Sequence, residues 1–160
     1  VILYFLRHGK AGQGDPSDPD DDARRLTDAG SDELKAAAKV WRRLNLRPDV
    51  VLSSPLPRAL DTAQALVRGL DLPAEPVVDD RLRPGADWSD LAQALADHRD
   101  ARRVMFVSHE PDLSRAVELL TGARAIRLRK GGLACVEFPG IPEPGAGELA
   151  WLIDPDVYPD

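Results

Sequence analysis

The stretch Ile2-Leu3-Tyr4-Phe5-Leu6-Arg7-His8-Gly9 decides how this chain reads. An unbroken apolar run ending in a cation, an imidazole and a glycine describes a strand buried on both faces that gives way to a loop. Far downstream, Val104-Met105-Phe106-Val107-Ser108-His109-Glu110-Pro111 is built the same way. The chain has only three histidines, so two of them at strand ends are a poor match to chance. In an open α/β sheet, ligands collect outside the carboxyl ends of the strands. An imidazole at that place can be nucleophile, acid or base, because its reference pKa is about 6.5.

The rest of the chain alternates as an α/β domain requires. Thr27 is placed to cap a helix whose apolar face is Leu34, Ala37, Ala38, Trp41 and Leu44. Asp49 to Leu52 reads as a short strand, followed by a helix with Ala59, Ala63, Leu66 and Leu70 on one side. Glu75 to Val78 suggests a third strand, and Trp88, Leu91, Ala92 and Leu95 line a short helix. After the Arg103 to Val107 strand comes a helix carrying Leu113, Ala116, Val117 and Leu120. Beyond Gly122 the pattern changes: Ala125 to Leu128, Leu133 to Phe138 and Glu148 to Ile153 read as strands joined by turns. The expected fold is a three-layer α/β sandwich, its central sheet mostly parallel and flanked by helices, with an antiparallel addition near the C-terminus. The 160 residues and 43% hydrophobic content suit one domain over residues 1–160. The Pro/Gly-rich piece from Gly140 to Gly147 reads as a hairpin loop rather than a boundary.

Composition narrows the function classes. A net charge of −6 argues against a nucleic-acid-binding surface while leaving room for a local basic pocket. A single cysteine excludes an internal disulfide and a multi-cysteine zinc site, and Cys135 within Leu133-Ala134-Cys135-Val136 reads as a small core hydrophobe. No segment approaches the roughly twenty apolar residues of a membrane helix. The chain opens on a strand without the regions of a signal peptide, so the expected compartment is the cytoplasm. It begins at Val1 rather than Met, which leaves upstream trimming open. The acidic stretch Asp15-Pro16-Ser17-Asp18-Pro19-Asp20-Asp21-Asp22 reads as a solvated, mobile loop rather than a metal site, because its spacing is not that of a calcium loop and prolines interrupt it. His98, among Asp97, Arg99 and Asp100, reads as a surface residue at a helix end.

A third segment joins the two histidines into a site. Ser53-Ser54-Pro55-Leu56-Pro57-Arg58-Ala59-Leu60-Asp61-Thr62-Ala63 follows the second strand and opens a helix, with Arg58 in its first turns. The planar fork of arginine binds two phosphate oxygens at once. Arg7 and Arg58 are therefore candidates to clamp a phosphoryl group from different segments, with His109 as a further donor when protonated.

These segments, together with Leu26-Thr27-Asp28-Ala29-Gly30, resemble the motifs of the histidine phosphatase superfamily. The likeness runs from residue 1 to about Thr121, and the short length is most similar to the SixA-type branch of phosphohistidine phosphatases. The resemblance implies a phosphatase with His8 as nucleophile and Arg7, Arg58 and His109 forming the phosphate pocket. The lack of a clustered His/Asp/Glu ligand set in the sequence, with two arginines to neutralise charge, adds the expectation that it works without metal or cofactor. Attack needs a neutral imidazole whose other nitrogen donates its proton, with nearby backbone as a natural acceptor. Gly9 would let that backbone approach closely. Many members of the superfamily protonate the leaving oxygen with a carboxylic acid. Here Asp87 is the first candidate and Glu110 the second, and SixA-type members are similar in having no clear acid. The expected partner is a phosphorylated substrate, foremost a phosphohistidine-bearing protein, with no nucleic acid or membrane involved. Two alternatives stay open: a phosphatase for a small phosphomonoester such as a nucleotide or sugar phosphate, and a phosphate-binding module without catalysis.

Overall fold

The computed structural model of the protein describes residues 1–12 and 17–160. Its strands are β1 (Ile2–Arg7), β2 (Val50–Ser53), β3 (Val77–Val78), β4 (Arg103–Ser108), β5 (Leu133–Glu137) and β6 (Glu148–Ile153). Its α-helices are α1 (Asp28–Arg43), α2 (Pro57–Gly69), α3 (Trp88–Ala96) and α4 (Asp112–Thr121). The strands form one sheet in the order β3-β2-β4-β1-β5-β6. β1, β2, β3 and β4 run parallel, while β5 pairs antiparallel with both β1 and β6. This is the expected α/β sandwich with its antiparallel end.

The apolar runs of β1 and β4 are continuous because both faces of the sheet are covered. Tyr4, Leu6, Met105 and Val107 pack with Leu34, Ala37 and Trp41 of α1 and Ala59, Ala63 and Leu66 of α2. Leu3, Phe5, Val104 and Phe106 point the other way, onto Leu91 and Ala94 of α3 and Leu113, Val117 and Leu120 of α4. Alternate residues of each strand thus enter different cores. Thr27 caps α1 as expected, its hydroxyl accepting from the Gly30 amide at 2.9 Å. Cys135 is buried between strands, and burial pushes its thiol up to about 12, as suits a core hydrophobe.

Two expected strands change. The third shrinks from Glu75–Val78 to Val77–Val78, an exposed strand at the sheet edge. Ala125 to Leu128 is not a strand. Ala125 adopts a left-handed backbone with φ 58°. The Ile126 amide donates to Glu118 Oε1 at 3.2 Å, the Leu128 amide to Ser114 Oγ at 3.2 Å, and the Leu128 carbonyl accepts from Arg7 Nη1 at 3.0 Å. Side chains have taken the backbone groups that a ladder would have needed.

Topology fixes where a ligand can gather. α1 and α2 cover one face and α3 and α4 the other. The chain therefore leaves β1 and β4, which are neighbours, towards opposite faces. A crevice opens at their carboxyl ends, the switch point of an open α/β sheet. Arg7 pairs with Ser108 in the β1–β4 register, so His8 and His109 are the next residues of two adjacent strands.

Candidate active site

The imidazoles of His8 and His109 lie with ring centroids 5.4 Å apart. His8 is buried, and its Nδ1 is 2.8 Å from the Gly9 carbonyl oxygen. A carbonyl only accepts, so Nδ1 carries the hydrogen and Nε2 keeps its lone pair. The Gly9 amide donates to Thr62 Oγ1 at 3.0 Å, and that hydroxyl donates to the Arg58 carbonyl at 2.7 Å. Thr62 thereby ties α2 to the loop that carries His8. A Cβ on Gly9 would lie 3.1 Å from Leu34 Cδ1 and 3.3 Å from Leu26 Cδ2, so the close approach leaves little room for a side chain.

His109 is 3% exposed, and its Nε2 is 2.7 Å from Ser54 Oγ. Ser54 Oγ also accepts from the Leu56 amide at 3.2 Å. Among the described residues the acceptor that the hydroxyl proton meets is His109 Nε2. That arrangement leaves the ring hydrogen on Nδ1, which is buried and has no hydrogen-bond partner among the described residues.

Burial pushes His8 down to about 4, and the charges of Arg58, Arg7 and Lys130 add to this against the opposing hydrogen bond to Gly9. Burial likewise pushes His109 down to about 3, followed by the influence of His8, Arg58 and Arg7. Both rings are neutral at pH 7. The condition attached to His109 as a charged donor is thus not met in the free protein. Desolvation and two nearby guanidinium groups disfavour its charge, and the donor it offers is the N–H of a neutral ring.

Arg7 closes β1, and Arg58 sits in the first turn of α2, where Pro57 suits the helix start. Burial lowers the pKa of both guanidinium groups. Arg7 Nε, Arg58 Nε and Arg58 Nη1 are buried without a hydrogen-bond partner among the described residues. With His109 Nδ1 these are four unmatched donors, on a ring 5.4 Å from the His8 ring and on two guanidinium groups whose charges reach His8. Buried donors rarely stay unmatched, so this cage suits an anion with several oxygens.

The two candidate acids sit differently. Asp87 is the exposed cap of α3; it accepts from the Asp90 amide at 3.0 Å while its own amide donates to Asp90 at 3.0 Å. It makes no hydrogen bond or ion pair with His8, His109, Arg7 or Arg58. Glu110 accepts from the Ser114 amide at 2.9 Å and from the Ser114 hydroxyl, and its charge favours the charged form of Arg7. Asp15 and Pro16 of the acidic stretch lie outside the described residues. Asp21 and Asp22 of that stretch come within electrostatic reach of Arg58, a proximity that the sequence did not suggest. Among the described residues, no three His, Cys, Asp or Glu side chains cluster as metal ligands. No helix among them is long and apolar enough to cross a membrane. His98 follows the end of α3.

Sequence reasoning quoted Ser54 and Thr62 within their motif without giving either a task. The signal was present, since both are small hydroxyl residues flanking Arg58 in an otherwise apolar setting. Asp112 was missed outright. Its carboxylate accepts from the Gly85 amide at 2.8 Å and holds the turn before α3 onto α4, and burial raises its pKa.

A sheet crevice with a neutral imidazole among unmatched cationic donors is the outline of a phosphoryl-transfer site. The model of the histidine phosphatase superfamily (branch 1) matches residues 3–116, and the chain belongs to this superfamily. It is accordingly a hydrolase of the phosphatase type. The phosphohistidine phosphatase SixA of Escherichia coli K12 is 30% identical over 157 residues, covering 96% of this chain and 93% of that protein. An uncharacterised protein of Picosynechococcus sp. is 31% identical over 141 residues, covering 82% of this chain and 81% of its own. The solved structure of the protein histidine phosphatase SixA complexed with tungstate superimposes with a TM-score of 0.83 at 26% identity, covering 98% of each chain.

Proposed function

We propose that residues 1–160 form one catalytic domain that hydrolyses phosphohistidine in proteins, through a covalent phosphoryl intermediate on His8 and without a metal ion. The observation that carries the reading is the set of four buried donors on Arg7, Arg58 and His109 with no partner among the described residues, beside a neutral His8 whose Nδ1 holds the ring hydrogen. Catalysis of phosphoryl transfer is mainly positioning and charge stabilisation, and two guanidinium groups supply the charge without a cation. The likeness to SixA proteins supports the substrate class.

In the first step the lone pair of His8 Nε2 forms a bond to phosphorus while the substrate's P–N bond breaks. The departing ring, protonated on its other nitrogen, takes that electron pair and leaves as neutral imidazole. In the second step a water oxygen bonds to phosphorus and one water proton passes to solvent. The N–P pair then returns to His8 Nε2, and inorganic phosphate is released. Neither Asp87 nor Glu110 is needed for the first step. An alkyl ester is different, because its alkoxide leaves well only with a proton from an acid, a contribution of roughly 10²–10⁴-fold.

The test compares kcat/KM for a phosphohistidine peptide with that for alkyl phosphates in one buffer. The phosphohistidine peptide is expected to be the better substrate, and His8→Ala should lose both turnover and the acid-labile phosphoenzyme. Equal or higher efficiency on alkyl phosphates would instead favour a small phosphomonoester as substrate, with a carboxylate at work. A phosphoenzyme trapped in the His8 variant would remove the nucleophile assignment.

A further inference from the structure

We infer that the basic wall beside Arg7, formed by Arg127 and Lys130 with Lys10, is a second anion-binding position that receives acidic side chains flanking the phosphorylated residue of a protein substrate. The inference rests on the substrate reading above and adds to it a preference for acidic surroundings.

A cavity of about 230 Å³ adjoins the donor cage and shares Arg7 with it. Its walls hold five cationic side chains, Arg7, Lys10, Arg127, Arg129 and Lys130, against the two carboxylates Glu33 and Asp156. Both carboxylates are engaged. Glu33 pairs with Lys10 at 3.1 Å, and Asp156 pairs with Arg129 at 2.9 Å, beside Asp154 at 3.0 Å. Arg127 and Lys130 have no carboxylate partner among the described residues. In a chain of net charge −6, unpaired positive charge gathered beside the phosphate cage runs against the average surface.

This wall is held in place. The Gly131 amide donates to the carbonyls of both Arg7 and His8 at 3.1 Å, and Arg7 Nη1 donates to the Leu128 carbonyl. Leu128 is fully buried, so its neighbours Arg127 and Arg129 face outward. Gly131 sits at φ 82°, a left-handed turn that favours glycine, and its carbonyl accepts from the Tyr158 hydroxyl at 2.6 Å. Lys130 directly precedes Gly131, whose amide is bonded to the His8 carbonyl, and its charge opposes protonation of His8. A residue beside a phosphohistidine in an extended segment lies about 3.3 Å along the chain per position, and the cavity that shares Arg7 is the basic surface next to the donor cage.

Exposed ion pairs are weak, about 1.4- to 5-fold each in an equilibrium constant. Two of them predict a preference of roughly 2- to 25-fold, strongest at low salt and nearly gone in 1 M salt, where the screening length is about 3 Å. The experiment uses two phosphohistidine peptides that differ only in flanking Asp against flanking Asn, with a small phosphoramidate as the substrate without flanks. The readout is the ratio of kcat/KM for the Asp and Asn peptides, so that effects on the reacting centre cancel. The wild-type ratio should lie in the range above and fall towards one in the Arg127→Gln/Lys130→Gln double variant. A wild-type ratio of one or less overturns the inference, as does a ratio unchanged in the double variant. If the phosphoramidate itself is not hydrolysed while nitrophenyl phosphate is, the substrate reading fails and takes this inference with it. If the phosphoramidate is hydrolysed and the ratio is flat, only the acidic preference is lost.

Discussion

Replacing Ser54 with alanine should slow catalysis without displacing the phosphate cage. Ser54 is fully buried, so the change removes one hydroxyl and little volume. Two partners lose it: the Leu56 amide at 3.2 Å and His109 Nε2 at 2.7 Å. The first loss weakens the entry to α2, and a buried donor left unsatisfied costs about 1–3 kcal/mol of stability. The second loss acts on chemistry. With Ser54 present, its proton occupies Nε2 and keeps the His109 hydrogen on Nδ1, towards the transferring group. Without it, the two neutral tautomers of His109 compete on nearly equal terms. A hydrogen bond of this kind is worth about 0.5–1.5 kcal/mol net, so the Nδ1–H form falls from roughly 70–93% to about half, a loss in kcat of about 1.4- to 1.9-fold. Ser54→Cys, which keeps a weak donor, should fall between wild type and Ser54→Ala. The assay is steady-state turnover of a phosphohistidine peptide combined with ¹⁵N chemical shifts of the His109 ring. A purely structural role would lower Tm and leave the ring nitrogens unchanged. The reasoning is refuted if the wild-type shifts place the hydrogen on Nε2, or if Ser54→Ala keeps both wild-type kcat and the Nδ1–H form.

Arg58→Lys should lose at least tenfold in kcat/KM although the charge is retained, because an ammonium cannot place two parallel donors on a phosphoryl group; single-turnover rates would show it, and a wild-type rate would contradict the two-pronged contact. The buried neutral histidines predict acid sensitivity: His8 and His109 bind protons from about pH 6.5 when unfolded, but only near pH 4 and 3 when folded. Between those values the unfolded state holds more protons, so stability should fall as pH drops from 6.5 towards 4. Urea midpoints against pH would show this slope, and it should flatten when both histidines are replaced by glutamine. Turnover should persist in excess chelator, since Arg7 and Arg58 neutralise the transferring group; loss of rate restored by magnesium or zinc would contradict this.

Much of the architecture could be read from apolar runs. β1 and β4 are legible because a strand covered on both faces needs an unbroken hydrophobic stretch, and the polar residue that ends each one marks the sheet's carboxyl edge. Arg58 is legible because Pro57 marks the start of its helix. Other features depend on partners distant in sequence. The backbone of Ile126 and Leu128 looks free to join a sheet until Glu118, Ser114 and Arg7 are seen to hold it. The capping bonds that Asp87 exchanges with Asp90 come only with the first turn of α3. The proton on His109 depends on Ser54, 55 positions earlier in the chain. The neutrality of both histidines depends on burial and on guanidinium groups brought in by folding, which no local pattern records.

The ladder between β1 and β4 does not stop where the strands end. The His8 amide donates to the Ser108 carbonyl at 3.1 Å, and the Ser54 amide donates to the Val107 carbonyl at 3.0 Å. Reacting groups held this way belong to the same cooperative unit as the central strands, the part of a domain that opens last. Amide exchange at His8 and Ser54 should therefore proceed only through global unfolding, at the rate of Phe5 and Phe106 rather than that of the surface loops. Heating would then leave the centre intact until the whole sheet melts. Loss of activity and loss of the fold would form a single transition, with no window in which the molecule is folded but its nucleophile is adrift.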